Sequence, residues 1–180
     1  MTDELLQDKK LYDLLLEIDE DLAEQVRRKG CQRCGERLDS ATYPRKPRGG
    51  PEGLSPRHTL QLSLCCAVCR GRARPPSVRF LGRRVYYGAA IIVACLQKLT
   101  AKRISRLKQQ LGVDRRTVRR WSRWWRALFP RTDFWREHKA LLSPPVTEAA
   151  LPGSLFERFN EEQLAKLTSV LRFLSPLAAS

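Results

Sequence analysis

Apolar residues recur at three- and four-residue spacing along most of the chain, and this pattern predicts a mainly helical fold. It is sharpest between Thr100 and Phe129, where Ile104, Leu107 and Leu111 form one stripe. Gly112 follows the last periodic residue, as a left-handed helix end prefers, and Asp114 stands where a second helix needs its N-cap. In that helix, Asp114 to Phe129, residues Val118, Trp121, Trp125 and Leu128 share a face. Val85 to Leu99 reads as a preceding helix with Ala90, Ile91, Ala94, Cys95 and Leu99 along one side. Asp3 to Lys29 reads as one or two acidic amphipathic helices ended by Gly30, packed against their own domain or serving a partner. Thr132 to Leu142 reads as a further helix capped by Thr132 and anchored by Phe134, Trp135 and Leu141, with Trp124 packing against it. Beyond Pro144-Pro145 come two more, at Ser154–Phe159 and Glu161–Leu174, which either cover the preceding helices or meet a second protomer. Alternation from Thr59 to Leu64, and again from Ser77 to Leu81 after Pro75-Pro76, predicts short strands.

The polar positions are unusual in one helix. Opposite the apolar face of the 114–129 helix lie Arg115, Arg116, Arg119, Arg120 and Arg123. An ordinary solvated helix face mixes signs in i,i+4 pairs, whereas this one has a single acid, at the cap. Arginine is the commonest direct reader of guanine in the major groove and also grips phosphates. The net charge is +15, and it is unevenly spread: Arg27 to Lys139 holds 29 basic against 6 acidic residues, while the first 26 residues hold 9 acids and 2 bases. A field of that kind speeds encounter with nucleic acid. Arg79, Arg83 and Arg84, between the predicted strands and helices, are candidates for flanking phosphates or for a solvated linker.

The cysteines supply the second chemistry. Cys31-Gln-Arg-Cys34-Gly and Cys66-Ala-Val-Cys69-Arg-Gly are two C-x-x-C knuckles, in which paired thiolates converge on one ion. Cys31, Cys34, Cys66 and Cys69 are therefore expected to hold one structural zinc ion, closed to substrate. Cys65 is a rival for the third position, although it loses the knuckle spacing and is expected on the opposite face of its strand. His58 is a further rival, read as a surface histidine, and Cys95 is read as a core thiol. The expected fold class is thus mainly α with a small β zinc ribbon: a three-helix helix-turn-helix unit with flanking N- and C-terminal helices. The segments are 1–30 (acidic helical), 31–84 (ribbon), 85–142 (helix-turn-helix) and 143–180 (helical tail).

A C-x-x-C…C-x-x-C ribbon followed by Gly112-Val-Asp-Arg-Arg-Thr-Val-Arg-Arg-Trp121 resembles the DNA-binding front end of bacterial transposases and insertion-element proteins, over roughly Cys31 to Phe129. The resemblance implies base reading by Arg115, Arg116, Arg119 and Arg120, with Thr117 on a phosphate. The transposase nuclease domain, which needs three separated carboxylates for two metal ions, has no counterpart after Lys139. Nor is there a phosphate-binding glycine loop ending in Lys-Ser/Thr or a Ser/His/Asp grouping, and Tyr86 and Tyr87 lack the partners of a tyrosine nucleophile. The expectation is a non-enzymatic, sequence-specific binder of double-stranded DNA, an accessory factor of a mobile element or a transcription regulator. Its setting would be the cytoplasm, at the nucleoid, with a homodimer or a transposase or recombinase as possible protein partner. Neither a membrane nor a small-molecule substrate is expected. The rival expectation is an adaptor whose ribbon docks a polymerase or recombinase and which binds nucleic acid without sequence preference.

Overall fold

Asp8 opens the first helix by accepting the amide of Lys10, and α1 (Lys9–Lys29) then runs to Gly30. Gly30 has a φ of 74°, and a Cβ there would come within 2.6 Å of the Gly35 carbonyl oxygen, so only glycine closes this end. The computed structural model describes residues 4–82, 84–159 and 161–179; Arg83 lies outside them. α1 buries Leu11, Tyr12, Leu15 and Ile18 in the main core. The acidic segment therefore packs on its own chain.

Five short strands follow among the described residues: β1 (Leu38–Ser40), β2 (Tyr43–Pro44), β3 (Leu60–Gln61), β4 (Leu64–Cys66) and β5 (Arg72–Ala73). They form two antiparallel sheets, one ordered β1-β4-β5 and the other pairing β2 with β3. The stretch Thr59–Leu64, expected as one strand, is split between the two sheets. The strand expected at Ser77–Leu81 does not form. Its amides are spent elsewhere: Ser77 N–H donates to the Ser175 carbonyl, Val78 N–H to Asp19, and Phe80 N–H to the Ser77 hydroxyl. Only Phe80 keeps a bridge, to Tyr87.

The rest is helical, and the chain is 56% helix and 9% strand. The helices are α2 (Gly88–Leu96), α3 (Ala101–Leu111), α4 (Arg115–Arg123), α5 (Asp133–His138), α6 (Gly153–Phe156) and α7 (Gln163–Leu174). α2 starts later than expected because Tyr86 and Tyr87 are held in extended bridges to Arg48 and Phe80. Its expected apolar side packs in the core, and so does the opposite side. Every residue from Gly88 to Ala94 is buried, since α6 and α7 cover the flank away from α4. A Cβ on Gly88 would sit 3.0 Å from Leu171, which shows how closely α7 approaches. The tail thus covers the preceding helices through Leu167, Val170, Leu171 and Leu174.

One departure alters the face of the arginine helix. After Arg123 the chain takes a wider π turn over Trp124–Leu128 before Phe129. The inserted residue moves the buried series from Val118, Trp121 and Trp125 to Phe129. Leu128, expected inside, is 54% exposed, and Phe129 rather than Trp124 meets Phe134 and Trp135. Leu141, expected as an anchor, is also exposed, because α5 gives way to a 3₁₀ turn and Leu142 packs in its place.

A buried ion pair ties these layers together. Arg79 is fully buried, and its Nε donates to Asp19 Oδ2 at 2.7 Å. Its remaining donors satisfy the carbonyls of Arg57, His58 and Leu60. Asp19 also accepts the Ser77 hydroxyl and the Val78 amide, each at 2.6 Å. Burial pushes the Asp19 carboxyl above its ordinary range, while Arg79 and these donors pull it back. Arg79 therefore belongs to the core and is neither a phosphate contact nor part of a solvated linker. Replacing Asp19 by Ala would strand the guanidinium; chemical denaturation should show a loss of about 3–5 kcal/mol.

Candidate metal centre and cationic surface

The two knuckles are built alike. In the first, Cys31 N–H donates to the Glu36 carbonyl; in the second, Cys66 N–H donates to the Gly71 carbonyl, the same five-residue reach. The residue after each second cysteine is left-handed: Gly35 at φ 77° and Arg70 at φ 58°. These turns bring Cys31, Cys34, Cys66 and Cys69 together, with all four sulfurs within 4.8 Å of one another. Cys31 and Cys69 sulfurs are 3.5 Å apart, and those of Cys34 and Cys66 are 3.4 Å apart. A tetrahedral ion with metal–sulfur bonds of about 2.3 Å needs sulfur–sulfur edges of about 3.8 Å. The two closest edges lie a few tenths of an ångström below that value, and the four cysteines could hold a metal ion.

Backbone amides support the charge such a cluster would carry. Val68 and Cys69 N–H groups donate to Cys66 Sγ, each at 3.4 Å. Amides of Arg33 and Cys34 pull the Cys31 thiol down, while the neighbouring sulfurs push those of Cys34 and Cys69 up, as sulfurs crowded together do. The register decides between the adjacent cysteines. Cys66, opposite Leu38, points into a small cluster with Cys31, Leu38 and Leu64, whereas Cys65 faces away and lies near the Arg70 carbonyl. His58 is no rival, and it is not on the surface. It is 6% exposed, with Nε2 2.8 Å from Asp13 and Nδ1 3.0 Å from the Ser55 hydroxyl. Cys95 lies beneath the Ser122 hydroxyl, and burial pushes its thiol up to about 11, leaving it neutral.

The second candidate is the outer face of α4. Asp114 caps the helix by accepting the Thr117 amide at 2.7 Å, which holds its carboxyl below the ordinary range. Thr117 serves the cap through its backbone amide. Arg115, Arg116, Arg119, Arg120 and Arg123 are all exposed, as is Arg126 in the π turn. Among the described residues none of them has a carboxylate within ion-pair distance.

The chain matches no family model, no curated protein and no solved structure. No helix among the described residues is long and apolar enough to cross a membrane.

Arg84 is placed differently from a solvated linker. Its guanidinium stacks 3.9 Å from the centroid of Trp124 and donates to the Leu81 carbonyl. Burial and the nearby charge of Arg120 lower its pKa from the ordinary value. Two basic residues absent from the sequence reading lie near the arginine face, Lys98 beyond the end of α2 and Arg126 in the π turn. Arg126 prolongs a visible series, but nothing in the spacing brings Lys98 to it.

The left-handed Arg70 gives a direct test of the knuckle geometry. A side chain costs roughly 1–2 kcal/mol there, partly offset by the chain entropy that glycine loses on folding. Arg70→Gly should raise stability by about 0.5–1 kcal/mol in thermal unfolding of the metal-loaded protein.

Proposed function

We propose that the protein is a non-enzymatic DNA-binding module: a structural zinc ion closes the knuckles, and α4 reads double-stranded DNA in the major groove as the second helix of a helix-turn-helix. The observation that carries this reading is the unopposed arginine face of α4 over a rigid aromatic base. Like charges held together without acids repel unless a polyanion joins them, and a duplex is the polyanion whose major groove admits a helix. The α3–α4 turn agrees with it. Gly112 is left-handed and accommodates the turn, Val113 is buried, and Asp114 caps the helix that follows.

Zinc is favoured because four clustered thiolates in two C-x-x-C knuckles suit a soft ion held in a closed structural site. The ion's role follows from the size of the ribbon's own core. Only Cys31, Leu38, Leu64 and Cys66 are buried there, and two of the four are sulfur ligands. With so little apolar surface, binding free energy and folding free energy are linked. Removing the metal with a chelator should release about one zinc per chain and unfold the ribbon. An unaltered melting curve in the metal-free protein would count against a structural ion.

Sequence selection from a random duplex library tests the DNA reading. A recovered motif is expected, and Arg116→Ala or Arg120→Ala should each weaken preference at one base pair by about 1–3 kcal/mol. Retained affinity with no motif would instead favour the adaptor, whose charge only keeps it near nucleic acid.

A further inference from the structure

The arginine face of α4 is not a single surface. One flank, carrying Arg115, Arg119, Arg123 and Arg126, forms a wall of an open groove of about 700 Å³. Lys98 and the end of α2 form a second wall, and the corner at Ala150–Leu151 and Gly153 forms the third. Arg116 lies outside this groove, and Arg120 borders a different hollow with Arg84 and Trp124; Arg123 stands between the two and lines both.

Every charged residue lining the groove is basic. Two features keep it so. Glu148, next to the third wall, is turned away, its Oε1 accepting the Trp135 indole N–H at 2.8 Å and the Lys139 ammonium at 3.1 Å. The end of α2 would present free carbonyls and the negative end of its dipole to the groove. Arg103 removes that, donating to the carbonyls of Val93, Ala94 and Gln97 from a buried position.

The cations are also laid out along a line. Arg115, Arg119 and Arg123 succeed one another at four-residue steps, about 6 Å per step along the axis. A small anion needs donors converging on a point, whereas a strand of nucleic acid offers charges in succession. We propose that this groove seats the sugar–phosphate backbone of one DNA strand, beside the base pairs read from the other flank of α4. Arg115, Arg119, Arg126 and Lys98 then grip phosphates, and base reading falls to Arg116 and Arg120. The proposal rests on the DNA-binding reading and divides its residues between two tasks.

The test compares the double variant Lys98→Ala/Arg126→Ala, both exposed positions, with Arg116→Ala in the zinc-loaded full chain. Affinities are measured on random duplex and on any selected motif, across a range of salt. The double variant should lose affinity equally on both duplexes, with its salt slope shallower by about 2, while base preference stays intact. An unchanged slope and unchanged affinity on random duplex would overturn the groove assignment, even if Arg116→Ala still relaxed the motif. The groove stands if the slope falls although no motif is ever recovered; in that case base reading alone fails. A motif that shifts in the double variant would also overturn the division, because the groove would then be contacting bases.

Discussion

The fold depends on one buried charge pair. Asp19 and Arg79 sit where α1, the turn before β3 and the 77–80 loop meet, and each is nearly saturated with hydrogen bonds. A buried pair of this kind adds little net stability against well-packed apolar residues, but removing one partner is expensive. Its consequence here is geometric. With Arg79 fixed, its carbonyl accepts the Gly88 amide, which starts α2. At the other end of α2 the buried Arg103 of α3 caps the last carbonyls and sets α3 against it. From α3 the Gly112 turn leads into α4. The position of the exposed arginines is thus traceable, bond by bond, to a carboxylate on the first helix.

Arginine serves two purposes in this chain, separated by burial. Arg79 and Arg103 work inside, where their terminal guanidinium N–H groups satisfy carbonyls that would otherwise be lost to the core. The arginines of α4 work outside, on a helix whose opposite face is anchored by aromatic contacts. Trp121 meets Tyr86 edge-on, and Trp125 meets Phe129. The π turn adds to this by bringing Phe129 inward, which locks the end of the helix against α5. On the reading proposed above, a surface of like charges on a stiff support would bind a polyanion with less ordering cost.

The cysteine centre follows a different logic. Its two knuckles repeat one hydrogen-bonding scheme, and each supplies a left-handed residue directly after its second cysteine. The surrounding cluster is small, so local backbone geometry and sulfur chemistry carry what a hydrophobic core would carry in a larger unit.

Much of this was legible in the chain. Caps at Asp114 and Thr132, the glycine end at Gly112 and the C-x-x-C spacing act over a few residues, and local spacing reports local structure faithfully. The same holds for the apolar stripes of α1 and α7. What was not legible depends on partners far away in sequence. Asp19 and Arg79 are separated by sixty residues, and neither differs in sequence from a solvated acid or base. His58 reads as a surface residue until Asp13 of α1 arrives beside it. A π turn costs one residue of phase, which the periodicity alone placed on Leu128 and the packing gave to Phe129. Helices, their caps and the sulfur pairs follow from neighbours within a turn or two, so local residue order specifies them. Tertiary structure alone decided which arginines are buried and which face solvent, because burial is a property of what packs against a residue.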